Sequence, residues 1–318
     1  MSAAVDPILT VGLAQIAPVW IDRDATLEKV ARHVETAGRE GCGLCVFGEA
    51  VVPGYPFWLE HTDAARFESV RQKQLHARYV HEAVDIGAGH LREVQAAAAD
   101  TSTAVYLGTI EKTPDRGGSS LYCSLVFIDT EGGIQSVHRK LMPTYEERLS
   151  WAIGDGHGLR VHDLGHGFVA GGLNCWENWM PLARASLYGQ GENVHVAVWP
   201  GNLRNTQDLT RHIAREGRCF AVSVSGLMRR QDVPPDFPFA EFLPDADMAN
   251  GGSCVAGPDG EWILEPVVDA ESLLVCDLHL EHVYRERQNF DPSGHYSRPD
   301  VLSLHVDRVR QRPVTFKD

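Results

Sequence analysis

Three side chains in this 318-residue chain are of types that do chemistry, each placed just past an apolar run. Cys175 lies in GGLNCWENWMP, directly after the run Phe168 to Leu173. A thiolate is a strong nucleophile but needs activation near neutral pH. The sequence predicts a strand, a sharp turn at the cysteine, and then a helix over Met180 to Tyr188. That order sets the sulfur near a helix N-terminus, where the dipole favours a thiolate. Glu49 ends the run Leu44 to Phe47 in LCVFGEAVVPGYPFW, and Lys140 follows Ile134 to Val137 in IQSVHRKLMPTYEER. A glutamate lifted toward neutrality by burial can take a thiol proton. A lysine can stabilise negative charge that develops as a thiolate attacks, with the Trp176 backbone N–H as a second donor. A lone cysteine reads equally well as a buried core residue. The weight comes from all three residues following strand-like segments, where open α/β sheets assemble their sites.

Glu49 in FGE, Lys140 in HRKLMPTYEER and Cys175 in GLNCWEN resemble the three signatures of the nitrilase superfamily, in its order and spacing. CWENWMPL, together with Gly154 to Gly156 (GDG), is most similar to the true nitrilase branch, and the resemblance runs from about Ile8 to His295. It implies a four-layer αββα sandwich. It also implies hydrolysis of a small organic nitrile to a carboxylic acid and ammonia through a covalent intermediate on Cys175, with no metal and no organic cofactor. It makes Glu147, just before Arg148, a second glutamate that positions the lysine. It implies a homo-oligomer, a dimer or a larger assembly including spirals, with a C-terminal tail that crosses to a neighbour. Related families use the same constellation on amides, carbamoyl groups and cyanide, and a catalytically silent scaffold of the same fold is a further alternative. Some arylacetonitrile-preferring relatives carry histidine where this chain has Asn178. The resemblance therefore leans away from that group and leaves aromatic, arylaliphatic and aliphatic nitriles open.

The elements that must position these residues follow from periodicity. Ile8 to Ala14 reads as a buried strand. Leu27, Val30, Ala31 and Val34 recur at helical spacing behind a possible cap at Asp24, and Gly41 ends the helix. With the strand before Glu49 this gives a βαβ unit, hence an α/β fold with parallel pairing. Two helices are expected between residues 64 and 100 and a strand over Thr103 to Glu111. Leu121 to Ile128 should pair with Ile134 to Val137 as a hairpin. After Cys175 come a strand at Val194 to Val198, a helix at Thr206 to Arg218 and a strand at Cys219 to Leu227. A second hairpin is expected over Gly251 to Glu265, with a last strand at Ser272 to Asp277. The chain reads as one domain, residues 1–289, followed by a polar tail, residues 290–318.

Tyr55, Phe57 and Trp58 follow the candidate base, Trp176 follows the nucleophile and Trp199 ends a strand. Tyr55, Trp58, Trp176 and Trp199 are the candidate pocket residues. The long proline-rich stretch from Met228 to Asn250 could cover the site or join subunits. Cys42 and Cys45 form a CxxC, but without a second pair they read as small core residues rather than as half a zinc site. His157, His162 and His166 lack further ligands and read as surface or loop histidines. An apolar content of 43% suits a globular domain with a full core, and a formal charge of −14 argues against nucleic-acid binding. The chain shows neither a leader pattern nor an apolar run of membrane-spanning length, and its odd count of seven cysteines suits reduced thiols. The expectation is a cytoplasmic location.

Overall fold

The first unit forms as the apolar spacing predicts. The computed structural model describes residues 6–314 and 317. Strand β1 (Ile8–Gln15) leads through helix α1 (Arg23–Arg39) to strand β2 (Leu44–Phe47), and β1 and β2 pair in parallel. The cap of α1 is Asp22, not Asp24: the Asp22 carboxylate accepts the Ala25 N–H at 2.9 Å. Asp24 sits in the first turn instead, where the helix dipole welcomes its charge. A short helix α2 (Trp58–His61), which periodicity did not disclose, precedes α3 (Val70–Glu82) and α4 (Arg92–Thr101). Then come β3 (Ala104–Lys112), β4 (Leu121–Ile128) and β5 (Ile134–Arg139), the last two a hairpin.

The second half contributes β6 (Val161–Gly165), β7 (Phe168–Asn174), α5 (Pro181–Tyr188), β8 (Val194–Trp199), α6 (Leu203–Gly217) and β9 (Phe220–Ser225). It continues with β10 (Leu227–Met228), β11 (Ala249–Ala256), β12 (Trp262–Val268), β13 (Ser272–His279) and α7 (Leu280–Arg287). One sheet runs β13-β1-β2-β3-β4-β5 and the other β10-β11-β9-β8-β7-β6, with β12 paired to β11. Strands β7, β8 and β9 are parallel.

The two sheets pack face to face. Val11, Leu13, Val46, Tyr106 and Phe127 from the first meet Phe168, Val196, Val198, Phe220 and Val222 from the second, all buried. Each such side chain contributes roughly 1.5–3 kcal/mol by leaving water. The outer face of the first sheet is covered by α1 and α4, through Leu27, Val30, Val34, Val94 and Ala98. That of the second is covered by α6, through Leu209, Ile213 and Ala214, and by α5, through Ala183 and Leu187. The architecture is therefore the four-layer αββα sandwich that the resemblance implied.

Cys42 and Cys45 are free thiols just before and at the start of β2, small residues in the core between the first sheet and helices α1 and α4, and burial pushes Cys42 up to about 11. His162 is not a surface histidine. It stacks on Phe127 with ring centroids 3.9 Å apart and bonds the Tyr106 hydroxyl at 2.7 Å and the Ser136 hydroxyl at 2.8 Å. Burial pulls it down to about 4, so it is a neutral pin between the edges of the two sheets. The stretch after β10 holds only two 3-10 turns, Arg230–Asp232 and Ala240–Phe242, and is anchored by Phe237, buried against Trp20 and Trp58. Near the C-terminus Arg310 returns to its own chain. It donates to Asp155 at 3.0 Å and to the Val137 carbonyl at 2.8 Å, while the Gln311 N–H donates to Asp155 at 3.0 Å. No helix among the described residues is long and apolar enough to cross a membrane.

Candidate active site

Glu49, Lys140 and Cys175 each lie one or two residues past the end of a strand, but not of the same sheet. Glu49 follows β2 and Lys140 follows β5 in the first sheet, whereas Cys175 follows β7 in the second. The chain lets the sheets approach closely at this end. Gly48 has no room for a side chain, since a Cβ would stand 2.9 Å from Gly226 N and 3.0 Å from Trp199 O. The Glu49 N–H crosses the gap and donates to that Trp199 carbonyl at 3.1 Å. Lys140 is set by its N–H, which donates to Cys123 O at 2.8 Å, and by its carbonyl, which accepts Gly154 N–H at 2.9 Å. A Cβ on Gly154 would meet the Lys140 carbonyl at 2.5 Å, which accounts for the first glycine of GDG.

The nucleophile sits at a strained turn. Cys175 has φ +45°, a left-handed conformation that costs a non-glycine residue about 1–2 kcal/mol. The turn is held from behind by buried Asn178, whose amide donates to Cys175 O at 2.8 Å and to Leu173 O at 3.2 Å. Asn178 is held in turn by His195, 2.8 Å from its Oδ1, and His195 by the Glu192 carboxylate at 3.1 Å. Residue 178 therefore faces the back of the nucleophile turn, not the cavity. Any influence it has on substrate choice acts through the position of Cys175.

All four groups named from the sequence as catalytic meet. Lys140 Nζ donates to Glu49 Oε1 at 2.8 Å and to Glu147 Oε2 at 2.7 Å. Carboxylate oxygens of Glu49 and Glu147 and the sulfur of Cys175 lie within 4.8 Å of one another. These acidic ligands would also suit a cation, but the Lys140 ammonium already lies between the two carboxylates. Glu147 is fixed in place by the Thr144 N–H at 2.6 Å and the Tyr55 hydroxyl at 2.9 Å. Glu49 Oε1 also receives the Cys123 thiol at 3.4 Å, while Glu49 Oε2 is buried with no partner. One oxygen of the glutamate is saturated and the other is free to accept a proton.

The electrostatics follow from burial. Desolvation lifts Glu49 to about 7; Lys140 pulls it down and Glu147 pushes it further up. Burial works against the Lys140 charge, but Glu49, Cys175 and Glu147 outweigh it and hold the ammonium well above its usual range. Burial, with Glu49 and Glu147, raises the Cys175 thiol well above its usual value, and Lys140 and the Trp176 N–H only partly offset this. This corrects the expectation of a thiolate stabilised by a helix dipole. The helix α5 starts only at Pro181, and Cys175 opens a five-residue 3-10 turn, Cys175–Trp179, too short to carry a strong dipole. At rest the nucleophile is a neutral thiol beside a base of near-neutral pKa.

A cavity of about 800 Å³ opens onto Cys175. Tyr55 and Trp176 line it, as the sequence suggested, together with Phe57 and the rim acid Glu146. Trp58 and Trp199 do not. Trp58 is 2% exposed and packs edge-on against Tyr79. Trp199 is fully buried under α6, with its indole N–H 3.4 Å from Ser223 Oγ. Both are large rings on the core side of their segments, and their places on the wall are taken by Pro200 and by Pro244 and Met248 of the stretch after β10. Among the site residues that sequence reasoning missed are Cys123 and Glu177. Cys123 carried no signal, since it meets Glu49 only through strand pairing. Glu177 was visible within CWEN, but its role was not.

The carbon-nitrogen hydrolase family model matches residues 10–288. A nitrilase from an unknown prokaryotic organism ("Nitrilase 2") is 38% identical over 311 residues, covering 98% of this chain and 96% of its own length. An aliphatic nitrilase of Rhodococcus rhodochrous is 36% identical over 322 residues, covering 96% of this chain and 81% of its own. The crystal structure of a carbon-nitrogen hydrolase from Helicobacter pylori G27 superposes with a TM-score of 0.68 at 19% identity, over 92% of this chain and 96% of that one.

Proposed function

Since the chain belongs to the carbon-nitrogen hydrolase family, whose members hydrolyse carbon–nitrogen bonds other than peptide bonds, we propose that it is a nitrilase. It would convert a small organic nitrile to the carboxylic acid and ammonia. The observation that carries this reading is the buried Glu49–Lys140–Glu147 cluster, with carboxylate oxygens of both glutamates and the sulfur of Cys175 within 4.8 Å of one another, behind a cavity that opens onto Cys175. The nitrilases at 38% and 36% identity support the choice of nitrile over amide.

The roles follow from the geometry. Glu49, through its unpartnered Oε2, accepts the Cys175 proton as the sulfur adds to the nitrile carbon. Glu49 passes that proton to the nitrogen, which leaves a thioimidate and an ionised Glu49. Lys140 and the Trp176 N–H stabilise the charge that develops on nitrogen. Glu49 then takes a proton from water, which adds to the thioimidate carbon to give a tetrahedral intermediate. Ammonia leaves and an acyl thioester remains on Cys175. A second water, activated in the same way, releases the acid and restores the thiol. Glu147 holds Lys140 in place, and Tyr55 holds Glu147 as well as lining the wall. Every proton is carried by these side chains or by water, so the route calls for no metal or organic cofactor.

The test is ammonia release from benzonitrile, phenylacetonitrile, an aliphatic dinitrile and cyanide, with the matching amides alongside. Ammonia and acid from nitriles, lost by at least about 10⁴-fold in Cys175→Ala, is the expected result. Turnover of amides alone would move the chain to the amidases, and full activity in Cys175→Ala would overturn the mechanism.

A further inference from the structure

The reacting groups are divided between two sheets, and a single buried carboxylate spans the division. Glu177 is 1% exposed. On the nucleophile side, its Oε2 accepts the Asn174 N–H at 2.8 Å, the residue directly before Cys175. On the other side, its Oε1 accepts the Leu141 N–H at 2.5 Å, directly after Lys140. His138 Nε2, from β5, lies 3.1 Å from both oxygens. Burial opposes the charge of Glu177, but His138 and the two backbone N–H groups outweigh it and hold the carboxyl below its usual range. Nothing else in the site joins the residue before the nucleophile to the residue after the lysine through one group.

We propose that Glu177 is a positioning residue that fixes the distance between Cys175 on one sheet and Lys140 with Glu49 on the other. It touches no reacting atom. Its effect should appear where that distance matters most, in the fate of the tetrahedral intermediate. Breaking the carbon–nitrogen bond there releases ammonia, with the proton supplied by Glu49, and leaves the acyl thioester. Breaking the carbon–sulfur bond instead returns the thiol to Cys175 and releases the amide. A nucleophile turn that drifts from Glu49 and Lys140 loses proton delivery to nitrogen, so the amide share rises.

Glu177→Gln is nearly isosteric but replaces one accepting oxygen with an N–H₂ group. It can accept from Asn174 or from Leu141, not from both. The inference rests on the nitrilase reading for its product assay but not for its second assay, the rate of Cys175 alkylation by iodoacetamide, which needs no substrate. For Glu177→Gln the expected result is a kcat lower by about 100-fold with KM within about threefold, since a misplacement of 1 Å can cost that much. The amide-to-acid ratio should rise by at least about fivefold, and Cys175 alkylation should be slower by a similar factor. The ratio is independent of how much enzyme is folded, so it separates positioning from simple destabilisation. A folded Glu177→Gln with unchanged ratio and alkylation rate overturns the proposal, whether its kcat is unchanged or falls only with its Tm. If Glu177→Gln does not fold, His138→Gln decides. It removes one of the two first-sheet contacts of the carboxylate and leaves that of the Leu141 N–H, and should shift the ratio and the alkylation rate in the same direction; no shift in either overturns the proposal. A wild-type chain that turns over no nitrile would remove the nitrilase reading and leave the alkylation assay to judge the strut.

Discussion

Glu49 is asked to be a base, and its surroundings are arranged for it. Its carboxyl is lifted to about 7 by burial and by Glu147, against the pull of Lys140. A base works only when ionised, so activity should be full above this value and fall as the pH drops through about 7. The limb belongs to the Glu49–Lys140–Glu147 cluster as a unit. It is read from kcat/KM against pH, and a profile flat down to about pH 5 would rule out Glu49 as the titrating base. At this scale the sequence was most informative where a motif is contiguous: Cys175, Glu49, Lys140 and Glu147 all meet as the motifs implied. It was silent where contact arises between distant segments. The Cys123 thiol reaches Glu49 across 74 positions of chain. Which side of a segment Trp58 and Trp199 occupy depends on packing that no local pattern carries.

Among the elements, the stretch between β10 and β11 has the most direct bearing on substrate. Pro244, Asp247 and Met248 line the cavity, yet the stretch has little hydrogen-bonded structure of its own. It is held to the body of the protein by Phe237, with ring centroids 4.6 Å from Trp20 and 6.2 Å from Trp58, by buried Leu243, and by Arg71 over the rings of Phe239 and Phe242 at 4.4 and 4.2 Å. Phe237→Ala removes the aromatic anchor. A core Phe→Ala change costs about 3–5 kcal/mol. Here the loss should fall on the segment, so KM should rise by about fivefold or more with kcat little changed, and limited proteolysis between residues 229 and 248 should accelerate. An unchanged KM would show that the wall does not depend on this anchor. The sequence pointed to this stretch as one that could cover the site. It did not disclose α2, only four residues long, or β6, an edge strand whose His and Asp interrupt the apolar alternation.

For the molecule as a whole, periodicity alone gives α/β, because a run such as Leu44 to Phe47 is apolar throughout and does not say which sheet it joins. The sandwich came from the resemblance, and the division of the site between sheets was not legible at all. The surface adds a further expectation. Trp179 is 55% exposed and Leu182 67%, with Met180 between them, an apolar strip just past the nucleophile turn. We infer from that strip, and from the family resemblance, that the chain associates with copies of itself. Sedimentation of the purified protein should give a mass at least twice 35.1 kDa, reduced by Leu182→Glu. A monomer at micromolar concentration would end that reading.

The division of the reacting groups has a consequence for how this protein comes into being. Cys175 rides on one sheet, while the base and the cation that ready it ride on the other. Without the packing of one sheet on the other, the sulfur, one of seven in the chain, would lack both the base and the cation. Catalytic competence is therefore a property of the packed pair of sheets and of neither sheet by itself.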